Sequence, residues 1–356
     1  MTTGSAPEIF APLDDIIEPR WWTGVPAISP ELFTIDGNQF RVQGKPLEPS
    51  LELSQCMQKT FDDIGLVHVI NTGLTDMQAM RLIATQVLRN ERQYEGGANP
   101  RRTLQPNVYE VGAPLEAWLH YHHEMAYIDS STTMVSFMCN KIPAEGGYTF
   151  VSDNVAATDS ILATEFGQKL KKLGICYHRD LTDRLAFQDR IEYGVYNHWQ
   201  LSMLTDDQDE AIAEARSRGL TAEWGDSRKL KTRYTISAFE YFPHLGRNLL
   251  YSSMADDGAW FDSWPLVQHV PSEDRPLKLT FGDLSEMTRK EKQLFIDIYD
   301  RHGIPIPWKV GDVALICNYR FAHGRPGVHL KEGEDRELGV LIGESFNRLQ
   351  TFEGKW

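Results

Sequence analysis

The stretch Tyr121-His122-His123-Glu124-Met125-Ala126-Tyr127 places two histidines, a glutamate and two tyrosines within seven positions, directly after His120. Residues i and i+2 of an extended chain share a face. A strand over 119–125 therefore points His120, His122 and Glu124 one way and Tyr121, His123 and Met125 the other. Three polar side chains are costly to bury unpaired, so that face either meets solvent or holds a metal. A helical His-Glu-x-x-His zinc site is excluded, because the fourth position after His123 is Tyr127. His-x-Glu on a strand instead supplies two legs of the two-histidine, one-carboxylate triad that holds Fe(II) and leaves one octahedral face open. Alone the pair is weak evidence: the chain has 11 histidines, and His178-Arg179-Asp180 shows the same spacing.

Further along, Pro307-Trp308 opens a polar turn, a buried β run follows, and His323 stands just before Gly324 and Arg325. The segment 143–154 puts Thr149 one strand over from His122. Taken in order, YEGGANPRR (94–102), NVYEV (107–111), HHEMAY (122–127), CNKIPAEGGYTFVSD (139–153), PWKVGDVALICNYRFAHGR (307–325) and DRELGVLIG (335–343) carry a specific signal. From about residue 60 to 348 the chain resembles the TauD/TfdA-type Fe(II)/2-oxoglutarate-dependent oxygenases, in particular their His-x-Glu branch of clavaminate-synthase-like and SyrP-like enzymes.

The resemblance implies His122, Glu124 and His323 as iron ligands. It implies Arg336 as the partner of the distal carboxylate of 2-oxoglutarate, a task suited to a planar guanidinium, and Thr149 as a hydrogen-bonding residue for the same carboxylate. The loop between His323 and Arg336 is a few residues longer than usual in the family, so Arg325 is the fallback for that role, although it reads better as a structural partner. His178-Arg179-Asp180 falls where the family has no ligand and is assigned to structure. His120 is left as a pocket residue or a polar residue at the barrel mouth. Family position makes Arg102, Tyr109, Glu110, Tyr127, Phe346 and Arg348 candidate substrate contacts.

The activity so implied is C–H oxidation of a small molecule, an amino acid or natural-product intermediate of secondary metabolism, with O2 consumed and succinate and CO2 released. Hydroxylation is the default outcome, with desaturation or oxidative ring closure open. Halogenation is not expected, because the carboxylate ligand Glu124 is present. Two rivals are a metal-dependent hydrolase or isomerase on a cupin-like barrel that ignores 2-oxoglutarate, and a barrel that only binds.

The elements that must position these residues are mostly strands. From about residue 107, short β-rich runs recur between turn residues, which predicts an antiparallel sandwich or barrel; the resemblance makes it a double-stranded β-helix, or jelly roll. The fold class expected is mainly β with inserted helices. Residues 1–50 read as a wrapping segment and 51–356 as one domain, with helical insertions at about 153–173, 205–233 and 285–303. Capping boxes are expected at Thr75/Gln78, at Thr205/Gln208 and at Thr288/Glu291.

Composition bounds the rest. The 356 residues carry a net charge of −14, which repels nucleic acid and anionic membranes. The first fifteen residues lack a basic and an apolar region, so no signal peptide is expected, and no run suits a membrane span. Four scattered cysteines (Cys56, Cys139, Cys176, Cys317) read as free thiols of a reducing compartment. A cytoplasmic protein with a small-molecule substrate is expected. The nine tryptophans fit a homodimer interface as well as core packing.

Overall fold

The computed structural model describes residues 26–94, 101–112, 114–185, 198–254, 259–271 and 275–348. The N-terminal segment expected to wrap the body lies outside these up to residue 25. Its remainder joins the main sheet, with Thr34–Asp36 pairing in parallel with Leu66–Ile70.

Eight strands form the core: β1 (Val108–Glu110), β2 (Leu119–His122), β3 (Ser130–Lys141), β4 (Thr149–Asp153), β5 (Gly303–Ile306), β6 (Val313–Cys317), β7 (Phe321–Arg325) and β8 (Glu337–Asn347). The larger sheet runs β6-β3-β8-β1, continued past β6 by Leu66–Ile70 and past β1 by Thr103–Gln105. The smaller sheet runs β5-β4-β7-β2. The chain thus alternates between two antiparallel sheets, which is the double-stranded β-helix.

Alternation along the strands explains the layers. In β6, Ala314 and Ile316 join the core between the sheets with Phe137, Val151, Ile304 and Val340. Val313 and Leu315 face the other way, onto Leu53, Met57, Met80 and Ile83 of the helices Leu51–Ile64 and Met77–Ala84. Two apolar layers on one strand of five residues explain why this run reads as continuously hydrophobic.

Helix starts follow local chemistry, with two corrections. Thr288 and Glu291 do make the reciprocal box at Arg289–Arg301. At the other two sites an aspartate wins. Asp76 accepts from Gln78 N–H to start Met77–Ala84, and Asp207 accepts from both Asp209 and Glu210 N–H to start Gln208–Ser217. A carboxylate next to the first turn outcompetes a threonine one or two positions earlier.

Residues 154–302 lie between β4 and β5. Helices Asn154–Leu162 and Glu165–Leu173 occupy the expected place. The expected helical stretch 205–233 is helical only over Gln208–Ser217; Thr221–Trp224 and Leu230–Ile236 are strands. With Ile175–Leu181 and Leu277–Phe281 they form a separate four-stranded side sheet. The hairpin Phe239–Phe242/Arg247–Leu250 forms a two-stranded sheet of its own, with Phe242 and Leu249 packed among Ala126, Cys317 and Tyr319. All four cysteines are free. Among the described residues no helix is long and apolar enough to cross a membrane.

Candidate metal centre

Strand register brings the two histidines together. β2 pairs with β7 so that His122 lies directly opposite His323, and their ring centroids are 4.2 Å apart. After His323 the pairing slips by a bulge, and β7 passes very close to β2. A Cβ on Gly324 would come within 2.6 Å of the Leu119 carbonyl, so glycine is what keeps this strand pair, and the histidine pair with it, in contact.

Glu124 reaches the same point by a different route. The strand expected over 119–125 ends at His122, and the chain turns, with Met125 in the left-handed region (φ 59°). Asn318 clamps this turn from both sides: its Oδ1 accepts from Glu124 N–H at 2.9 Å, and its Nδ2 donates to the Glu124 carbonyl at 3.0 Å. Ser131 Oγ and Tyr251 Oη donate to that same carbonyl.

Donor atoms of His122, Glu124 and His323 all lie within 4.8 Å of one another, and all three residues are buried. The donor set fits Fe(II): two imidazoles, one carboxylate, and a cleft on the remaining side. His122 Nδ1–H donates to the His120 carbonyl at 2.9 Å, which leaves Nε2 as its metal-facing atom. Glu124 is divided between two tasks. Its Oε2 lies 3.5 Å from His323 Nε2, and its Oε1 accepts from the Arg101 guanidinium at 3.0 Å. Arg101 stacks 3.7 Å over the Tyr94 ring and donates to the Tyr94 hydroxyl.

The electrostatics suit cation binding. Burial, with His323 beside it, pushes the His122 imidazole down to about 3, so the ring is neutral and able to ligate. Burial alone would raise the Glu124 carboxyl; Arg101, His323 and His122 instead hold it well below the usual carboxylate range. His123, expected on the opposite face, does turn away: it stacks on Tyr251 at 4.7 Å and its backbone N–H donates to Ser252.

The cleft over the triad encloses about 730 Å³, counting the part open to solvent, and includes Thr149, Arg325, Arg336, Tyr127 and Arg179 in its walls. Arg336 is 3% exposed; its Nε donates to the Gly147 carbonyl at 3.2 Å, and among the described residues it pairs with no carboxylate. Burial lowers its guanidinium to about 10. Gly147 offers that carbonyl from a left-handed backbone (φ 76°). Thr149 Oγ1 accepts from Trp308 Nε1 at 3.0 Å, so its own proton is available to a ligand. Arg325 donates to the carbonyls of Pro114, Leu115, Ala117 and Pro326, an anchor for the loop before β2.

Five of the six expected substrate contacts lie elsewhere. Arg102 and Glu110 pair with each other at 2.9 Å, and Arg102 also meets Glu337; opposite charges at the outer end of β1 satisfy one another. Tyr109 packs beside Tyr94, behind the cleft wall. Phe346 packs on Tyr319 and Tyr251. Arg348, 4% exposed, is held by Glu240 at 2.8 Å and by the carbonyls of Ser237 and Tyr251. Tyr127 alone of the six lines the cleft. His120 is buried and outside the lining; burial pushes its ring down to about 4. Of the triplet assigned to structure, His178 bonds Thr280 Oγ1, whereas Arg179 is a cleft residue.

The model of the taurine catabolism dioxygenase TauD, TfdA family matches residues 52–341. A clavaminate synthase-like protein of Arabidopsis thaliana is 28% identical over 240 residues, covering 66% of this chain and 69% of its own. A taurine dioxygenase from Burkholderia xenovorans superposes with a TM-score of 0.48 at 15% identity, covering 87% of this chain and 85% of that one. PvcB from Pseudomonas aeruginosa gives 0.45 at 12% identity, covering 83% and 82%. With the family match spanning residues 52–341, from the first helix into β8, the chain belongs to the TauD/TfdA family of Fe(II)/2-oxoglutarate-dependent oxygenases and is a dioxygenase of that class.

Proposed function

We propose that this enzyme oxidises a C–H bond of a small organic molecule, with hydroxylation as the default outcome and Fe(II) held by His122, Glu124 and His323. The observation that carries the reading is Arg336: a buried guanidinium beside the triad, paired with no carboxylate among the described residues. An unpaired buried charge is strongly unfavourable, and the distal carboxylate of 2-oxoglutarate would neutralise it by a bidentate contact. Thr149, its hydroxyl turned by Trp308, would donate to the same carboxylate. Iron, when bound, supplies the activation of O2 that no side chain can provide.

The chain's own contribution is positional. His122 is fixed in one tautomer by the His120 carbonyl, and Glu124 keeps one oxygen for the metal while Arg101 holds the other. Phe137 packs edge-on against His323 at 5.3 Å, which limits water on that side. Hydrolase or isomerase chemistry on the same triad would leave Arg336 unexplained.

The test needs no substrate. Fe(II) and then 2-oxoglutarate are added anaerobically, and the visible charge-transfer band of a chelated 2-oxo acid is followed. The band is expected in the wild type, lost in His323→Ala, and shifted to far higher 2-oxoglutarate concentration in Arg336→Ala. Iron binding without any band would overturn the reading in favour of a hydrolase-like site.

A further inference from the structure

The strand Leu66–Ile70 carries a polar residue on its inward face. It pairs with β6 so that His68 lies opposite Ala314, and residues directly opposite in a sheet share a face. Ala314 and Leu66 belong to the core between the two sheets, whereas Val67 and Val69 join the layer under the helices. His68 therefore points into the barrel, where it is 3% exposed. Asp312, immediately before β6, is buried as well. An imidazole and a carboxylate are costly to bury in an apolar core unless something there uses them.

Their contacts run in a line toward the cleft. Asp312 Oδ2 accepts from the backbone N–H of Lys309 at 2.9 Å, and the Asp312 N–H donates to the Lys309 carbonyl at 3.0 Å. Together these close the turn directly after Trp308. The same Oδ2 lies 3.3 Å from His68 Nε2, a contact of charge and dipole rather than an aligned hydrogen bond. The His68 ring meets the Trp308 indole at 76°, with centroids 5.5 Å apart, the edge-to-face arrangement that ring quadrupoles favour. Trp308 Nε1 then donates to Thr149 Oγ1 at 3.0 Å. Of these four side chains only Thr149 lines the cleft. The indole can direct the threonine hydroxyl only if it is itself held in one orientation. His68 on its face and the Asp312-closed turn behind its backbone hold it.

We infer that His68 and Asp312 are positioning residues for 2-oxoglutarate, fixing Trp308 so that the Thr149 hydroxyl stays turned toward the distal carboxylate of the co-substrate. The inference rests on the oxygenase reading and deepens it. Neither residue lines the cleft, so their influence on the co-substrate passes through the indole. It is also confined to one end of the co-substrate. A 2-oxo acid without a second carboxylate keeps the groups that chelate iron, makes no use of Thr149, and is blind to the whole line.

The experiment uses that difference. Wild type, His68→Leu, Asp312→Asn, Trp308→Phe and the double variant His68→Leu/Trp308→Phe are loaded anaerobically with Fe(II). Each is titrated with 2-oxoglutarate and, separately, with 2-oxovalerate, which has the same chain length but no distal carboxylate. The charge-transfer band gives the half-maximal concentration of each acid, and a separate titration gives the Fe(II) affinity. His68→Leu should raise the 2-oxoglutarate requirement by about 5-fold, the worth of the one hydrogen bond it misdirects. Asp312→Asn keeps an acceptor for Lys309 but loses the charge facing His68, and should raise it by about 3-fold; it carries the same test where the histidine variant does not fold. Fe(II) affinity and the 2-oxovalerate requirement should stay at their wild-type values. Adding His68→Leu to Trp308→Phe should produce no further shift, because residues acting through one intermediary are not additive. The inference falls if the 2-oxoglutarate requirement is unchanged in the folded variants. It falls equally if 2-oxovalerate shifts as much, or if the His68→Leu effect persists in full without the indole N–H. Absence of the band in the wild type would instead overturn the oxygenase reading itself.

Discussion

The two walls of the cleft are assembled by different means. The ligand side is set by backbone: the β2/β7 register places His122 against His323, and Asn318 grips the main chain of Glu124 on both sides. The opposite side is set by side chains in sequence, with Glu124 to Arg101, Arg101 to Tyr94, Tyr94 to Tyr127 and Tyr127 under Arg179. Backbone register fixes ligands to within the tolerance a metal demands. A relay of side chains drawn from separate segments can be altered one residue at a time. The difference separates a side that strand register fixes from one that single side chains fix.

Four outcomes would break or sharpen this contrast, from the largest effect to the smallest. Glu124→Ala removes a ligand and leaves Arg101 buried without its carboxylate, so Fe(II) affinity should fall by more than roughly 100-fold in an anaerobic binding titration. Arg101→Gln keeps all three ligands but frees Oε1. Iron binding should weaken by roughly 10- to 100-fold while the 2-oxoglutarate concentration for half-maximal band stays put; an unchanged iron affinity would mean the backbone clamp suffices alone. Next is a pH effect on the metal-free protein. His120 has its pKa lowered to about 4 by burial, so the unfolded chain binds the proton first as pH falls below its ordinary value near 6.5. Stability is full above that value and should be lower by about 2 kcal/mol at pH 5. Denaturant melts at both pH values measure it, and a flat profile would show that the ring is hydrated. Trp308→Phe removes the donor to Thr149, and should raise the 2-oxoglutarate requirement only about 5-fold, the worth of one hydrogen bond.

What was legible in the sequence follows the same division. His122, Glu124 and His323, with Thr149 and Arg336, stand in short motifs whose spacing is fixed by strands, and the structure gathers all five around one cleft. The other wall could not be read. Of the adjacent pair Arg101-Arg102, sequence reading favours Arg102, but neighbouring residues face opposite ways and nothing in the sequence sets the phase of that segment. Arg179 is assigned to structure because its triplet falls where the family has no ligand; the alternation of Tyr177, Arg179 and Leu181 is the signal for its inward face, which lines the cleft. Ser253, another lining residue, follows an insert hairpin and carries no spacing signal at all. Asn318 interrupts the apolar run before His323, and a buried amide there was a visible hint of a backbone clamp. Arg348 and Phe346 lie outside the cleft lining, since strand parity says which face a residue takes, not which partner on that face claims it.

The Asn318 clamp has one more consequence. Its Nδ2 also donates to the Tyr251 hydroxyl, and Tyr251 follows the hairpin of the segment inserted between β4 and β5, 98 residues past the end of β4 at Asp153. The turn that presents Glu124 is thereby completed only when the insert has docked on the barrel. Folding of the insert and capture of iron become linked equilibria, so each must strengthen the other by the same free energy. Iron affinity then serves as a gauge of domain assembly, and a lesion anywhere in the insert's docking surface would register first as an enzyme that has lost its metal.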